Sequence, residues 1–83
     1  MNSKKFIISI DQGTTSTRAI LYSQKLIPIC KYQIKIKQYY PYTDWVEQNP
    51  NEIWKSVLLV VKFIIKKNKI STNDILSIGI TNQ

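Results

Sequence analysis

Asp11, Gly13, Thr14, Thr15, Ser16, Thr17 and Arg18 fall within a single run of eight residues, Asp11-Gln12-Gly13-Thr14-Thr15-Ser16-Thr17-Arg18. An acid, a glycine, four hydroxyls and a guanidinium are the parts needed to hold a metal-bound polyphosphate. Backbone N–H groups and hydroxyls exposed at a bend donate to phosphate oxygens. Gly13 lets the backbone come close to a ligand. The Asp11 carboxylate can hold Mg²⁺ directly or through water, because Mg²⁺ takes few protein ligands and keeps its waters. Arg18 can add charge-assisted hydrogen bonds to the same anion.

These residues need a scaffold, and the flanking sequence supplies one. Phe6-Ile7-Ile8-Ser9-Ile10 precedes the run and Ala19-Ile20-Leu21-Tyr22 follows it, so the polar residues sit at the bend between two strands. The first strand is apolar on both faces and reads as central in a sheet. After a turn near Ser23-Gln24-Lys25, a third strand is expected from about Pro28 to Gln38. It alternates, with Cys30, Tyr32, Ile34 and Ile36 on one face and Lys31, Gln33, Lys35 and Lys37 on the other. That is period 2 with one wet face, and its lysines suit a sheet edge. Tyr39-Tyr40-Pro41-Tyr42-Thr43-Asp44-Trp45 reads as an aromatic connector lying on the core.

A helix then begins, with Asn49 as its cap and Pro50 in its first turn. Ile53, Trp54, Val57, Leu58, Val60, Val61, Ile64 and Ile65 recur at helical spacing and predict a buried face, with Leu59 and Phe63 outside it. Lys66, Lys67 and Lys69 suit the negative end of the helix, and Asn68 is the expected left-handed stop. Ser71-Thr72-Asn73-Asp74 is a turn, and Ile75 to Ile80 a last buried strand. A strand, a helix and a strand of this length form a parallel crossover unit.

Composition narrows the function. The chain has 83 residues, a net charge of +7 and no histidine. Without histidine there is no Ser-His or Cys-His pair, and the commonest zinc ligand is missing. Arg18 is the only arginine among twelve basic residues, and the lysines are spread rather than clustered, which argues against a nucleic-acid surface. Cys30 is the single cysteine, and no signal-peptide pattern or membrane span is read, so a reduced, cytoplasmic setting is expected.

The order βββαβ and three residue blocks resemble the glycerol kinases among the FGGY carbohydrate kinases. The blocks are Ile10 to Ala19, Trp45-Val46-Glu47-Gln48-Asn49-Pro50-Asn51-Glu52-Ile53-Trp54, and Ile78-Gly79-Ile80-Thr81-Asn82-Gln83. The resemblance implies an α/β fold: an incomplete ribonuclease H-like/actin-like ATPase N-terminal subdomain, a mixed sheet with one packed helix. It implies that residues 1–83 are a truncated N-terminal part of that family's first domain. The family reaction converts ATP and glycerol to sn-glycerol 3-phosphate and ADP. By resemblance Asp11 organises the Mg²⁺ of Mg·ATP, and Thr14, Thr15, Ser16 and Arg18, with Gly13 at the bend, contact the nucleotide phosphates. Thr14 would lie nearest the transferred phosphoryl.

The chain departs from the family pattern at Asp44, where a glycine is usual, and at Gln48-Asn49, where His-Asp is usual. The family's Arg-Glu pair that grips glycerol would follow Gln83, and its catalytic aspartate lies further on, so no catalytic residue is assigned within the chain. The expectation is a phosphate-binding piece inactive alone. The alternative is a non-catalytic remnant or interaction piece that pairs with a separately encoded remainder, or with copies of itself. One helix covers one face of such a sheet, so a weakly folded or associating chain is expected.

Overall fold

The computed structural model describes residues 5–37, 39–42 and 45–82. Its elements are β1 (Phe6–Gln12), β2 (Ser16–Ser23), β3 (Pro28–Lys35), β4 (Tyr39–Tyr42), β5 (Trp45–Glu47), α1 (Pro50–Lys67), a 3-10 turn (Thr72–Asp74) and β6 (Ile75–Asn82). The main sheet has the order β3-β2-β1-β6. β1 pairs antiparallel with β2, β2 antiparallel with β3, and β1 parallel with β6. This is the expected α/β arrangement, a mixed sheet with one packed helix.

The aromatic connector differs from expectation. Tyr39–Tyr42 and Trp45–Glu47 form a small antiparallel ladder of their own, with Tyr42 opposite Trp45. Pro41 cannot donate a ladder hydrogen bond, and such a residue is tolerated on an edge strand. Whether the connector's side chains pack on the core falls outside the described side chains. The third strand stops at Lys35, short of Gln38, which itself lies outside the described residues.

Alternation decides the core. Ile8 and Ile10 on β1, Ala19 and Leu21 on β2, and Val57, Val60 and Ile64 on α1 form one buried cluster. Cys30, Tyr32 and Ile34 of β3 pack against it, as their alternation required. The helical stripe is narrower than expected. Trp54 is 58% exposed and Leu58 37%, because α1 lies over β2 and β3 and leaves β6 largely uncovered. Phe63, outside the stripe, stacks on Tyr32 with ring centroids 3.7 Å apart. β6 is not the buried strand its apolar run suggested. It forms the sheet edge, with Ile78 at 47% and Ile80 at 60% exposure.

Local chemistry sets the ends of α1. The Asn49 side chain accepts the Asn51 N–H at 2.9 Å, with Pro50 in the first turn. At the other end Lys69, not Asn68, takes the left-handed conformation, with φ of 54°. The Lys69 N–H donates to the Lys66 carbonyl and the Ile70 N–H to the Ile65 carbonyl, both at 3.2 Å. That pair of bonds is a Schellman motif with Asn68 at the cap and Lys69 just beyond it. Asn68 instead spends its side chain on the Ile64 carbonyl, at 2.8 Å. Between β2 and β3 the turn places Leu26 at φ 65°, a conformation usually left to glycine.

Candidate functional site

The run from Asp11 to Arg18 straddles the β1–β2 bend. Gln12 pairs with Thr17, and the Gly13 N–H donates to the Ser16 carbonyl at 2.9 Å, so Thr14 and Thr15 form the tip of a tight reversal. Gly13 does not have a positive φ, so its value here is the missing side chain rather than a left-handed backbone.

Three braces hold the tip. The Ile36 N–H donates to the Thr15 carbonyl at 2.9 Å, Gln48 Nε2 donates to the Thr14 carbonyl, and Gln33 Nε2 donates to Ser16 Oγ at 2.8 Å. The carbonyls of Thr14, Thr15 and Ser16 are therefore each engaged by protein donors. Carbonyl oxygens carry partial negative charge and repel anions, so engaging them makes the tip a better anion seat. Beneath it, buried Thr17 meets Ser56 of α1 with 2.7 Å between their hydroxyl oxygens, and donates to Gln12 Oε1 at 2.9 Å. That contact ties the bend to the helix.

Strand register brings the charged groups together. Arg18 lies opposite Asp11 on one side and opposite Gln33 on the other. Residues directly opposite share a face, and this row lies on the face away from α1. Arg18 Nη2 and Asp11 Oδ2 form an ion pair at 3.0 Å, with side chains 40% and 35% exposed. Arg18 Nε is shielded from water and has no hydrogen-bond partner among the described residues. A charged donor shielded without a partner is costly.

Asp11, Gly13, Thr14, Thr15, Ser16, Arg18 and Gln33 line one cleft of about 310 Å³. Asp11, Gly13, Thr14, Thr15, Ser16 and Arg18 thus lie around a single space, whereas Thr17, the fourth hydroxyl of the run, is buried against Ser56 on the face toward α1. Gln33 and Gln48 are the additions. Alternation placed Gln33 on the wet face of β3, but only the β2–β3 register shows that it reaches Ser16. Gln48 was legible only as a departure from a family pattern. A larger groove of about 590 Å³ lies elsewhere, among Lys5, Phe6, Leu21, Ile27, Ile29 and Ile70, and none of the site residues read from the sequence lines it.

The cleft suits Mg²⁺ only as a nucleotide-bound ion. Among the described residues no group of three or more His, Cys, Asp or Glu side chains could hold a metal. A single carboxylate is enough when phosphates and waters complete the shell. Asp11 would supply that carboxylate, and the ion would neutralise phosphate charge. Among the described residues no helix is long and apolar enough to cross a membrane.

The N-terminal domain model of the FGGY family of carbohydrate kinases matches residues 6–83, and the chain belongs to that family. Several solved kinase structures are similar to it over a part of their length. A gluconate kinase from Lactobacillus acidophilus is 25% identical with a TM-score of 0.88, over 98% of this chain and 16% of that one. The Plasmodium falciparum glycerol kinase with ADP is 29% identical with a TM-score of 0.77, over 100% of this chain and 17% of that one. A ligand-bound xylulose kinase from Lactobacillus acidophilus, 24% identical with a TM-score of 0.86, shares the fold over 95% of this chain and 16% of its own length. The chain therefore spans 16–17% of the length of these structures.

Proposed function

We propose that this chain supplies the nucleotide-phosphate corner of an ATP:glycerol 3-phosphotransferase. The observation that carries the reading is the shared cleft that Asp11, Gly13, Thr14, Thr15, Ser16 and Arg18 line together. Thr14, Thr15, Ser16 and Arg18 bind and orient the phosphates there, with Gly13 giving them room, and Asp11 holds nucleotide-bound Mg²⁺. Phosphoryl transfer rests on such positioning and charge neutralisation rather than on covalent help. Glycerol as acceptor is supported by the full Asp11 to Arg18 run together with Gly79-Ile80-Thr81-Asn82-Gln83, and by likeness to a glycerol kinase solved with ADP. A cytoplasmic setting accords with that role.

The chain spans 16–17% of the matched structures, and the role proposed for residues 1–83 is binding of the nucleotide phosphates, with no proton acceptor for glycerol assigned among them. The test has two arms. The 83-residue chain should bind Mg·ATP and should release no ADP when glycerol is added. Glycerol-dependent turnover by this chain alone refutes the division of roles, and no Mg·ATP binding refutes the site.

A second reading is favoured by the exposed apolar side chains of Trp54, Leu58, Leu59, Ile78 and Ile80. In it the chain is an interaction piece that pairs through these residues with a complementary polypeptide. Binding of Mg·ATP that appears only after such pairing would favour it.

A further inference from the structure

Resting on the phosphate-site reading above, we propose that Gln33 is a positioning residue that aims the Ser16 hydroxyl proton at an anion in the cleft. Gln33 stands on β3 directly opposite Arg18, and its side chain reaches Ser16, two residues along β2. Its Nε2 donates to Ser16 Oγ at 2.8 Å. A serine hydroxyl has one proton and two lone pairs. Gln33 fills a lone pair, so the proton must find another acceptor. Among the described residues Ser16 Oγ has no protein acceptor, while the cleft opens beside it.

The chemistry recognised is a phosphate-type oxyanion, which accepts hydrogen bonds and gives none. Gln33 sets the direction of the chain of donors: amide to hydroxyl, hydroxyl to anion. An acid at this position would reverse that direction. It would accept the Ser16 proton and add negative charge to the cleft wall. Gln33 need not touch the anion, so its effect acts through Ser16.

The experiment is a Mg·ADP titration of the full 83-residue chain, wild type against Gln33→Met, Gln33→Glu, Ser16→Ala and the double variant Ser16→Ala/Gln33→Met. Gln33→Met keeps the side-chain length and loses the donor. It weakens binding roughly five-fold, the worth of one ordinary hydrogen bond. Gln33→Glu weakens it more, roughly ten-fold or beyond, because a charged acceptor now competes for the proton. In the Ser16→Ala background, Gln33→Met changes the Kd by less than about two-fold, since the two act as one unit.

A purely structural role would move urea midpoints alike in the methionine and glutamate variants and leave their Kd values together. Unchanged affinity in Gln33→Met, or an equal loss with and without Ser16, overturns the inference while leaving the phosphate site intact. Failure of the wild-type chain itself to bind Mg·ADP would instead bring down the phosphate-site reading, and this inference with it.

Discussion

Asp11→Asn separates the folding role of the Asp11–Arg18 pair from its role toward a nucleotide. Both side chains are more than a third exposed, at 40% and 35%. Such a pair contributes about 0–1 kcal/mol to stability. The variant should therefore unfold in urea within about 1 kcal/mol of wild type. Its effect on ligand is larger. A carboxylate and a phosphate charge about 5 Å apart repel by roughly 1–3 kcal/mol between the dielectric of water and that of a protein surface. Metal-free ADP should bind Asp11→Asn roughly five-fold tighter or more, because that repulsion is gone and Arg18 is released to the phosphates. Mg²⁺ should then give little further gain, whereas in wild type it cancels the repulsion and adds a ligand bond. Calorimetric titration of ADP with and without Mg²⁺, on both proteins, reads this directly. An unchanged ratio of metal-bound to metal-free affinity would refute Asp11 as the carboxylate that holds the ion.

Three further outcomes follow from the fold. Leu26 is 65% exposed and sits at φ 65°, so Leu26→Gly should raise the urea unfolding free energy by about 0.5–1 kcal/mol as left-handed strain is relieved. Thr17 and Ser56 share three close oxygen contacts, to Gln12, to Ile53 and to each other, but own two hydroxyl protons. Two protons make two bonds; with both spent outward, on Gln12 and Ile53, Thr17→Val and Ser56→Ala should each cost about 1 kcal/mol and add in the double variant, and a coupling near 1 kcal/mol would show that one hydroxyl instead donates to the other. Ile78→Thr/Ile80→Thr should lower self-association in sedimentation velocity, because both side chains are about half exposed on an open edge; equal sedimentation would place the sticky surface elsewhere.

Much of this was legible in the sequence because local rules and global packing agree. The alternation of Cys30, Tyr32 and Ile34 fixed one face of β3, and Asn49-Pro50 fixed where α1 starts. Where several weak signals compete, the sequence misleads by a residue or a face. Asparagine favours the left-handed state, but Asn68 gains more by binding the Ile64 carbonyl, and the reversal moves to Lys69. Trp54 and Leu58 share helical spacing with the core, but the place of α1 over β2 and β3 leaves their flank open, and no periodicity reports that offset. The tyrosine-rich connector hid a ladder because its pairing is set between strands rather than within one. For the cleft, residue types announced Asp11 to Arg18, whereas Gln33 and Gln48 joined through register and a distant contact.

The central claim is that the β1–β2 bend seats nucleotide phosphates. The most direct measurement is an NMR titration of the isotope-labelled chain with Mg·ADP, following backbone amides and the Arg18 Nε–H. The Gly13, Thr14, Thr15 and Ser16 amides should shift together, with the unpartnered Arg18 Nε–H moving to a hydrogen-bonded position at the same midpoint. Shifts confined to the apolar groove by Phe6, Ile27 and Ile29, with the bend and Arg18 unmoved, would contradict it.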